Sequence, residues 1–438
     1  MSPTASADPI QLFVAAVRAN DVESAASALR QYPQLRARLD DALPGFDFDG
    51  TALIAAVNRR SRAMIDLLLD AGANIDQKSH WWAGGFGVLD HADPELVPHL
   101  LQRGATMTIN AAARLGRLED VERLIDEDPN AVRARGGDGQ TPLHVASTVD
   151  VARLLLARGA DIDALDVDHE STPAQYLVRD HQDVVRLLLQ EGCRSDILMA
   201  AAVGDLSRVK QWVERDPASV EIDVSERHFP MRDPRAGGSI YIWTLGVNKT
   251  AHVVAREFGH EDVFRYLMAH TPESFTLALA CELGDRATFE KLLALRPNIA
   301  ETLSDDERRK LANAAESGNL DAVRLMLEAG WPVDAPGRVG ATALHWAAYT
   351  GNVAMVRELL AHDAPVDARE PRYNGTPLGW ALHGSRFISS EAGRDYPGVV
   401  AALLDAGAVI SSPADVEASD PVRELLRRRG VALGDIGA

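Results

Sequence analysis

The chain has 438 residues, 46% hydrophobic and 25% charged, a balance that excludes wholesale disorder and a fibrous architecture. Forty-five basic against 64 acidic residues leave a net charge of −19, which argues against a phosphate-reading nucleic-acid binder and against docking on an anionic membrane. Nothing approaches the run of about 18 apolar residues needed to span a bilayer. The first twenty residues read as neither a signal nor a transit peptide. Two cysteines, Cys193 and Cys281, cannot build a disulfide framework, so a reduced, cytoplasmic setting is expected. The only lysines are Lys78, Lys210, Lys249, Lys291 and Lys310, and this Arg-rich, Ala-rich composition suggests a GC-rich bacterial gene.

In chain order, the predicted elements repeat one another. LFVAAVRANDVESAASALRQYPQ (12–34) reads as a helix, a turn and a second helix. GTALIAAV (50–57) and LLLDAGANID (67–76) form the next pair, and LLQRGATMT (100–108) ends another. INAAARLGRLEDVERLI (109–125), TPLHVAS (141–147) with LLLARGADID (154–163), LLLQEGCRSD (187–196) and ILMAAAVGDLSRVKQWV (197–213) continue the series. LALACELGDRATFEKLL (277–293), LANAAESGNLDAVRLML (311–327), ATALHWAAYTGN (341–352), GTPLGWAL (375–382) and LLDAGAVI (403–410) complete it. The pitch is fixed: Gly72 to Gly104 is 32 positions, Gly159 to Gly192 is 33, and Gly330 to Asp363 is 33 again. Within the unit at Gly340, Leu344, Ala347 and Ala348 share one helix face at i, i+3, i+4, and small alanines let helices approach closely. Thr342 is placed to cap that helix, Gly351 to end it, and Val356, Leu359 and Leu360 to form the stripe of the next. No such unit buries both helices alone, whereas stacked neighbours do.

These phrases, T-P-L-H at Thr141–His144 and the fuller pattern from Thr342 through Val366, resemble the ankyrin-repeat family. The resemblance implies an all-α solenoid of about 12–13 helix–turn–helix units over the whole chain. It implies a single array over 1–438: a capping repeat at 1–45, repeats at 46–224, an insertion at 225–248, repeats at 249–384, an insertion at 385–397 and capping repeats at 398–438. Phe86–Gly104 and Thr141–Gly159 look short by a few residues between their helices. Arg423, Arg427, Arg428 and Arg429 are expected on a polar outer cap, complementing a helix dipole.

Signatures of chemistry are sparse. Gly84-Gly85-Phe86-Gly87 and Gly136-Gly137-Asp138-Gly139 lack the spacing and lysine of a phosphate loop. His383-Gly384-Ser385 lacks half of a nucleophile elbow, and no zinc-type H-E-x-x-H or paired C-x-x-C occurs. The acidic run Asp161, Asp163, Asp166, Asp168 and Glu170 has no calcium-loop spacing and reads as a solvated loop, so no metal and no cofactor are expected. Cys193 and Cys281 occupy alanine slots and read as small core residues. His144 and His345 belong to the T-P-L-H phrase, where the resemblance implies hydrogen bonds to loop backbone. His252 stands where leucine is expected, which requires either a hydrogen-bonded burial or a function.

Aromatics are only 5% of the chain but share a phase. Phe48, Trp81, Trp82, Tyr241, Trp243 and Tyr373 precede helices at predicted loop tips. Trp346 and Tyr349, Trp380 and His383, and Tyr176 and Arg179 pair at i+3 on one helix side. In ankyrin arrays the tips and this helix side form the concave groove that binds partners, and Trp, Tyr and Arg dominate interface energetics. The expectation is therefore a monomeric module holding a protein or peptide partner, with no nucleic acid and no membrane. The alternative is a small-molecule binder or non-standard enzyme, with His252, His383, Asp395 and the tryptophans in a groove closed by 225–243 and 385–397. A stand-alone adaptor or the immunity half of a gene pair is a third possibility. No catalytic residue is identified.

Overall fold

A computed structural model describes residues 8–388, 393–410 and 416–434. Those residues form α-helices, short 3-10 turns and one π-helical turn, Ile242–Gly246, with no strand among them and one isolated antiparallel bridge between Asp223 and Thr250. The all-α expectation therefore holds. The chain divides into two compact units, Met1–Phe264 and Arg265–Ala438.

Each unit is built from helix pairs. In the first, Pro9–Arg18 packs on Val22–Gln31, Ala52–Asn58 on Arg62–Asp70, Ile109–Arg114 on Leu118–Glu127, and Ile197–Ala202 on Leu206–Arg215. In the second, Glu273–Glu282 packs on Arg286–Leu295, Lys310–Glu316 on Leu320–Glu328, Ala343–Tyr349 on Val353–Ala361, and Pro377–Phe387 on Tyr396–Asp405. First helices also stack on first helices of neighbouring pairs, such as Ala343–Tyr349 on Pro377–Phe387. The reason is composition: Ile197–Ala202 is buried at every position, and Ala343, Leu344, Ala347 and Ala348 are all buried. A helix apolar on all sides must be covered on all sides.

The ends of the helices follow local chemistry. Side chains of Thr51, Thr108, Asp196, Asp205, Asn319 and Asn352 accept the orphan N–H groups of the first turn. Thr342 is the N-cap, as placed from the sequence, and forms a capping box with His345. Gly351 closes the same helix at φ +71°, which a side chain would strain.

The two short repeats are short for a visible reason. At 141–147 the first helix shrinks to a 3-10 turn, Pro142–Val145, and the chain runs at once into Thr148, which caps Val149–Ala157. At 86–104 only one helix, Val97–Gln102, remains.

Two expectations need correction, the bounds of the 385–397 insertion and the exposure of Arg423. The residues after Gly384 continue the helix to Phe387, and Tyr396 already begins the next helix under an Asp395 cap, with Pro397 in its first turn. What lies between them includes residues outside the described set. The 225–248 insertion is hydrogen-bonded to earlier tips. Arg423 is not on the outer surface of the cap. It is 7% exposed, and its guanidinium donates to Val416 O and Gly434 O.

Candidate functional site

In the first unit the loop tips are tied to one another by backbone hydrogen bonds. His80 N donates to Asp49 O, Asp138 N to Gly84 O, Val167 N to Asp138 O, and Gly237 N to Asp168 O. Close approach is built in: a side chain at Gly137 would collide with the Phe86 ring. On this row of tips sit Phe48 and Trp81, 5.4 Å apart edge to face, with Phe86 4.8 Å from Phe48 and Trp82 6.3 Å from Trp81. The aromatics expected at these tips are therefore together, but each is partly consumed by its neighbours.

The 225–248 segment covers the tip at 166–171. Arg232 N and Asp233 N donate to the Glu170 carboxylate, and Ile240 N donates to Ser171 Oγ. The Arg235 guanidinium lies 4.2 Å over the Trp82 ring. Several residues expected to face a partner serve this internal docking instead. Arg179 donates through Nε to Thr244 O. Tyr241 is fully buried and donates its hydroxyl to Asp196 Oδ2 at 2.9 Å. Burial, then the Asp196 charge, holds the Tyr241 hydroxyl well above its ordinary pKa. Tyr176 is half-buried and donates to Asp166 Oδ2 at 2.9 Å. His252 is 0% exposed in the core of the helix Ala251–Glu257, so it faces neither a groove nor a pocket. Trp243 is 69% exposed on the outside of the segment.

The solvated-loop reading of the acidic run is wrong for its second half. Asp166, Asp168 and His169 are buried, together with Asp138 of the preceding tip. The sequence shows five acidic residues in ten positions but not that an insertion 60 residues later folds over them. Burial pushes the Asp138 carboxyl up to about 6; His169 opposes this, and Asp168 and Asp166 add to it. Trp81 Nε1 also helps hold Asp138 charged, without reaching hydrogen-bond geometry.

His144 and His345 do what the family phrase implies. His144 accepts from Thr141 N at its Nδ1 and donates from Nε2 to Ser171 O at 3.1 Å. His345 repeats this with Thr342 N and Gly375 O. Burial drives the His144 pKa down to about 4, so it stays neutral. Cys193 and Cys281 are buried thiols pushed up to about 12 by burial, too weakly ionised to act as nucleophiles.

In the second unit the expected residues converge. Trp346, Tyr349, Tyr373, Trp380 and His383, with Arg338 and Val339, line a concavity of about 590 Å³. Trp380 packs edge-on against Trp346 at 5.0 Å and Tyr349 at 5.7 Å, and Tyr349 stacks on His383 at 6.3 Å. Arg338 lies 4.7 Å over the Trp346 ring while its guanidinium pairs with Glu316. Trp346 is only 5% exposed, so it forms the floor of the concavity rather than its rim, and its buried Nε1 has no hydrogen-bond partner. Tyr373 is 66% exposed at the rim. Its loop is held by Glu370, whose carboxylate accepts from Arg372, Tyr373 and Gly375 N–H groups. Burial raises the Glu370 pKa, but these donors outweigh it and hold the carboxyl below its ordinary range. Asp395 is spent as a helix cap, accepting from Gly398 N. The concavity therefore offers aromatic faces and one guanidinium, that of Arg338, with no carboxylate among its described lining residues.

Among the described residues no helix is long and apolar enough to cross a membrane. The pattern described as "Ankyrin repeats (3 copies)" matches residues 108–200, 277–370 and 311–412, and a single ankyrin repeat matches 49–80. Curated relatives are eukaryotic and match in part. Palmitoyltransferase Hip14 of Drosophila melanogaster is 32% identical over 27% of this chain and 17% of that protein. Ankyrin repeat and SAM domain-containing protein 6 of Danio rerio is 28% identical over 47% of this chain and 30% of that protein. Serine/threonine-protein kinase VIK of Arabidopsis thaliana is 40% identical over 16% of this chain and 17% of that protein. The chain thus spans less than a third of each of these relatives. The human ASB11 ankyrin repeat domain aligns with 70% of this chain and all of that domain, at 19% identity and a TM-score of 0.28, too low to support an argument. With more than half its length under the ankyrin pattern and its helix pairs, caps and tip histidines in the family's arrangement, this chain belongs to the ankyrin-repeat family.

Proposed function

We propose that this chain is a protein-interaction module, and that its docking face is the aromatic concavity of the second unit. Ankyrin repeats are protein-interaction modules, and nothing in the site requires chemistry. The observation that carries the placement is the cluster Trp346, Tyr349, Trp380 and His383, open to solvent at Tyr373 and backed by Arg338. Rigid aromatic surface of this kind supplies contact area at low entropic cost, and anchors of this type dominate binding. The partner is a protein segment presenting an apolar or aromatic side chain to Trp380, in keeping with an array that works as a monomer. A reduced, cytoplasmic setting and a bacterial gene agree with the paired absence of disulfides and the Arg-rich composition. The net charge of −19 disfavours nucleic acid as the partner. The reading of the chain as one array from end to end rests on the same repeat pitch.

The test is display selection of peptides on the full chain, followed by Tyr373→Ala and His383→Ala. Both side chains are exposed, so each variant keeps the wild-type melting temperature while affinity falls at least tenfold. Selected peptides that bind both variants as tightly as wild type refute the assignment.

A further inference from the structure

The buried tip of the first unit brings Asp138, Asp168 and His169 together. His169 Nδ1 lies 2.8 Å from Gly238 O, and a carbonyl oxygen can only accept, so Nδ1 carries the proton. In the neutral ring Nε2 is then a lone pair. Nε2 makes no hydrogen bond; it faces Asp168 Oδ2 at 3.6 Å and Asp138 Oδ2 at 3.9 Å. His169 is 7% exposed, Asp138 6% and Asp168 4%. A buried lone pair pointed at two carboxylates is repulsive unless something positive lies between them.

The rest of the tip adds negative charge. Asp166, 3% exposed, adjoins the group and is saturated by His169 N, Ser171 N and the Tyr176 hydroxyl. Among the described residues no arginine or lysine pairs with any of the three aspartates, and the sole ion-pair partner is His169.

We infer that Asp138, Asp168 and His169 form a binding site for one divalent cation of the zinc class. Candidate ligand atoms of the three residues all lie within 4.8 Å of one another. Bonds of about 2.1 Å in a tetrahedral site place ligand atoms about 3.4 Å apart, so the two histidine–carboxylate separations of 3.6 and 3.9 Å need a few tenths of an ångström of closure, and the two carboxylates, within 4.8 Å of each other, close further onto the ion. Calcium and magnesium prefer six or more oxygens, and a set of two carboxylates and one imidazole suits a borderline cation with water in the fourth position. The supporting shell is already present. Gly238 O fixes the His169 tautomer, and Gly237 N occupies Asp168 Oδ1, leaving Oδ2 for the metal. Both supports come from the 225–248 segment, while the ligands come from two successive tips. The cation therefore pins the segment to the tips it covers.

The experiment uses the full chain, stripped with chelator and titrated with Zn2+ and, as a spectroscopic probe, Co2+. The expected result is one equivalent of tight Zn2+, weakened at least tenfold in His169→Ala and in Asp138→Asn. The Co2+ form shows the strong visible absorption of a four-coordinate centre, absent from both variants. In the wild type alone, Zn2+ slows amide exchange across 236–246, a readout that survives even if a variant does not fold. If His169 is instead an imidazolium bridging the two carboxylates, the variants bind as much metal as wild type, Co2+ stays six-coordinate and exchange is unchanged. Any of these results overturns the proposal.

Discussion

The tips at 166–171 and 370–375 are two versions of one device. Both precede a Thr-Pro helix start by the same spacing, Asp166 to Thr172 and Glu370 to Thr376. Both use a buried carboxylate to gather the backbone N–H groups of their own turn. Both offer a carbonyl, Ser171 O or Gly375 O, to the histidine of the preceding repeat. They differ in what lies on top. The first is roofed by 225–248 and becomes a buried, acidic, polar site. The second has no such roof and presents Tyr373 above an aromatic concavity. One kind of scaffold thus supports a roofed, buried tip in one place and an open aromatic concavity in another, and the covering segment decides which.

The largest way to break this comparison is to neutralise the two carboxylates. Glu370 is covered by its own turn, though little protein lies beyond it, and it stays charged because its donors prefer the anion. Glu370→Ala leaves three backbone N–H groups without their acceptor and costs about 2–4 kcal/mol. Asp166→Asn, measured in chelator, costs less than Glu370→Gln, because removing its charge relieves repulsion with Asp138 while an acceptor oxygen remains. Denaturant unfolding of the three variants decides the point, and equal costs for Asp166→Asn and Glu370→Gln would sink the claim that the two tips differ electrostatically.

The hydroxyls of two tyrosines sharpen the same contrast. Tyr241 belongs to the roof and Tyr373 to the open tip. Tyr241→Phe removes the donor to Asp196 and costs about 1–2 kcal/mol, whereas Tyr373→Phe changes stability by less than about 0.5 kcal/mol. Thermal unfolding monitored for both shows whether the roof is structural.

Much of this was legible and some was not. Periodicity placed the helix pairs, and Thr342, Gly351, His144 and His345 fell where local rules put them, because caps and turns depend on neighbours in sequence. The aromatic phase brought Trp346, Tyr349, Tyr373, Trp380 and His383 to one place for the same reason. The apolar slot of His252 already offered burial as one of its two readings, but burial of Tyr241, and of Asp166, Asp168 and His169, was not legible. Each depends on a contact across tens of residues, such as His169 with Gly238, that no local pattern encodes. The phase of Tyr241 matched that of Tyr373, and only the docking of the insertion separates them.

The paired histidines give an acid test of that buried tip. His144 has its pKa lowered to about 4 from 6.5, so protons bind the unfolded chain more readily than the folded one. Its stabilising contribution is complete above pH 6.5 and is lost as the pH falls toward 4. Between pH 6 and 5 this amounts to about 1 kcal/mol. The stability gap between wild type and His144→Gln therefore narrows by that amount over this interval, and a gap that stays constant contradicts a buried neutral imidazole.

The smallest effect isolates the outer edge of the roof. Arg235 lies flat over Trp82 and pairs with Asp233 at 2.7 Å, both at the surface, where solvent screens the attraction. Arg235→Ala should leave the unfolding midpoint where it is. What it changes is local: Trp82 loses its cover, so its emission becomes more accessible to iodide or acrylamide. Because six other tryptophans contribute, the quenching is read as a difference against Trp82→Phe. Added Zn2+ then discriminates between the two anchors of the segment. If the cation pins residues 236–246 through Gly237 and Gly238, quenching in Arg235→Ala stays high while amide protection there still rises. If protection fails to rise once Arg235 is gone, the cation–π contact holds the segment in place and the histidine tip merely follows it.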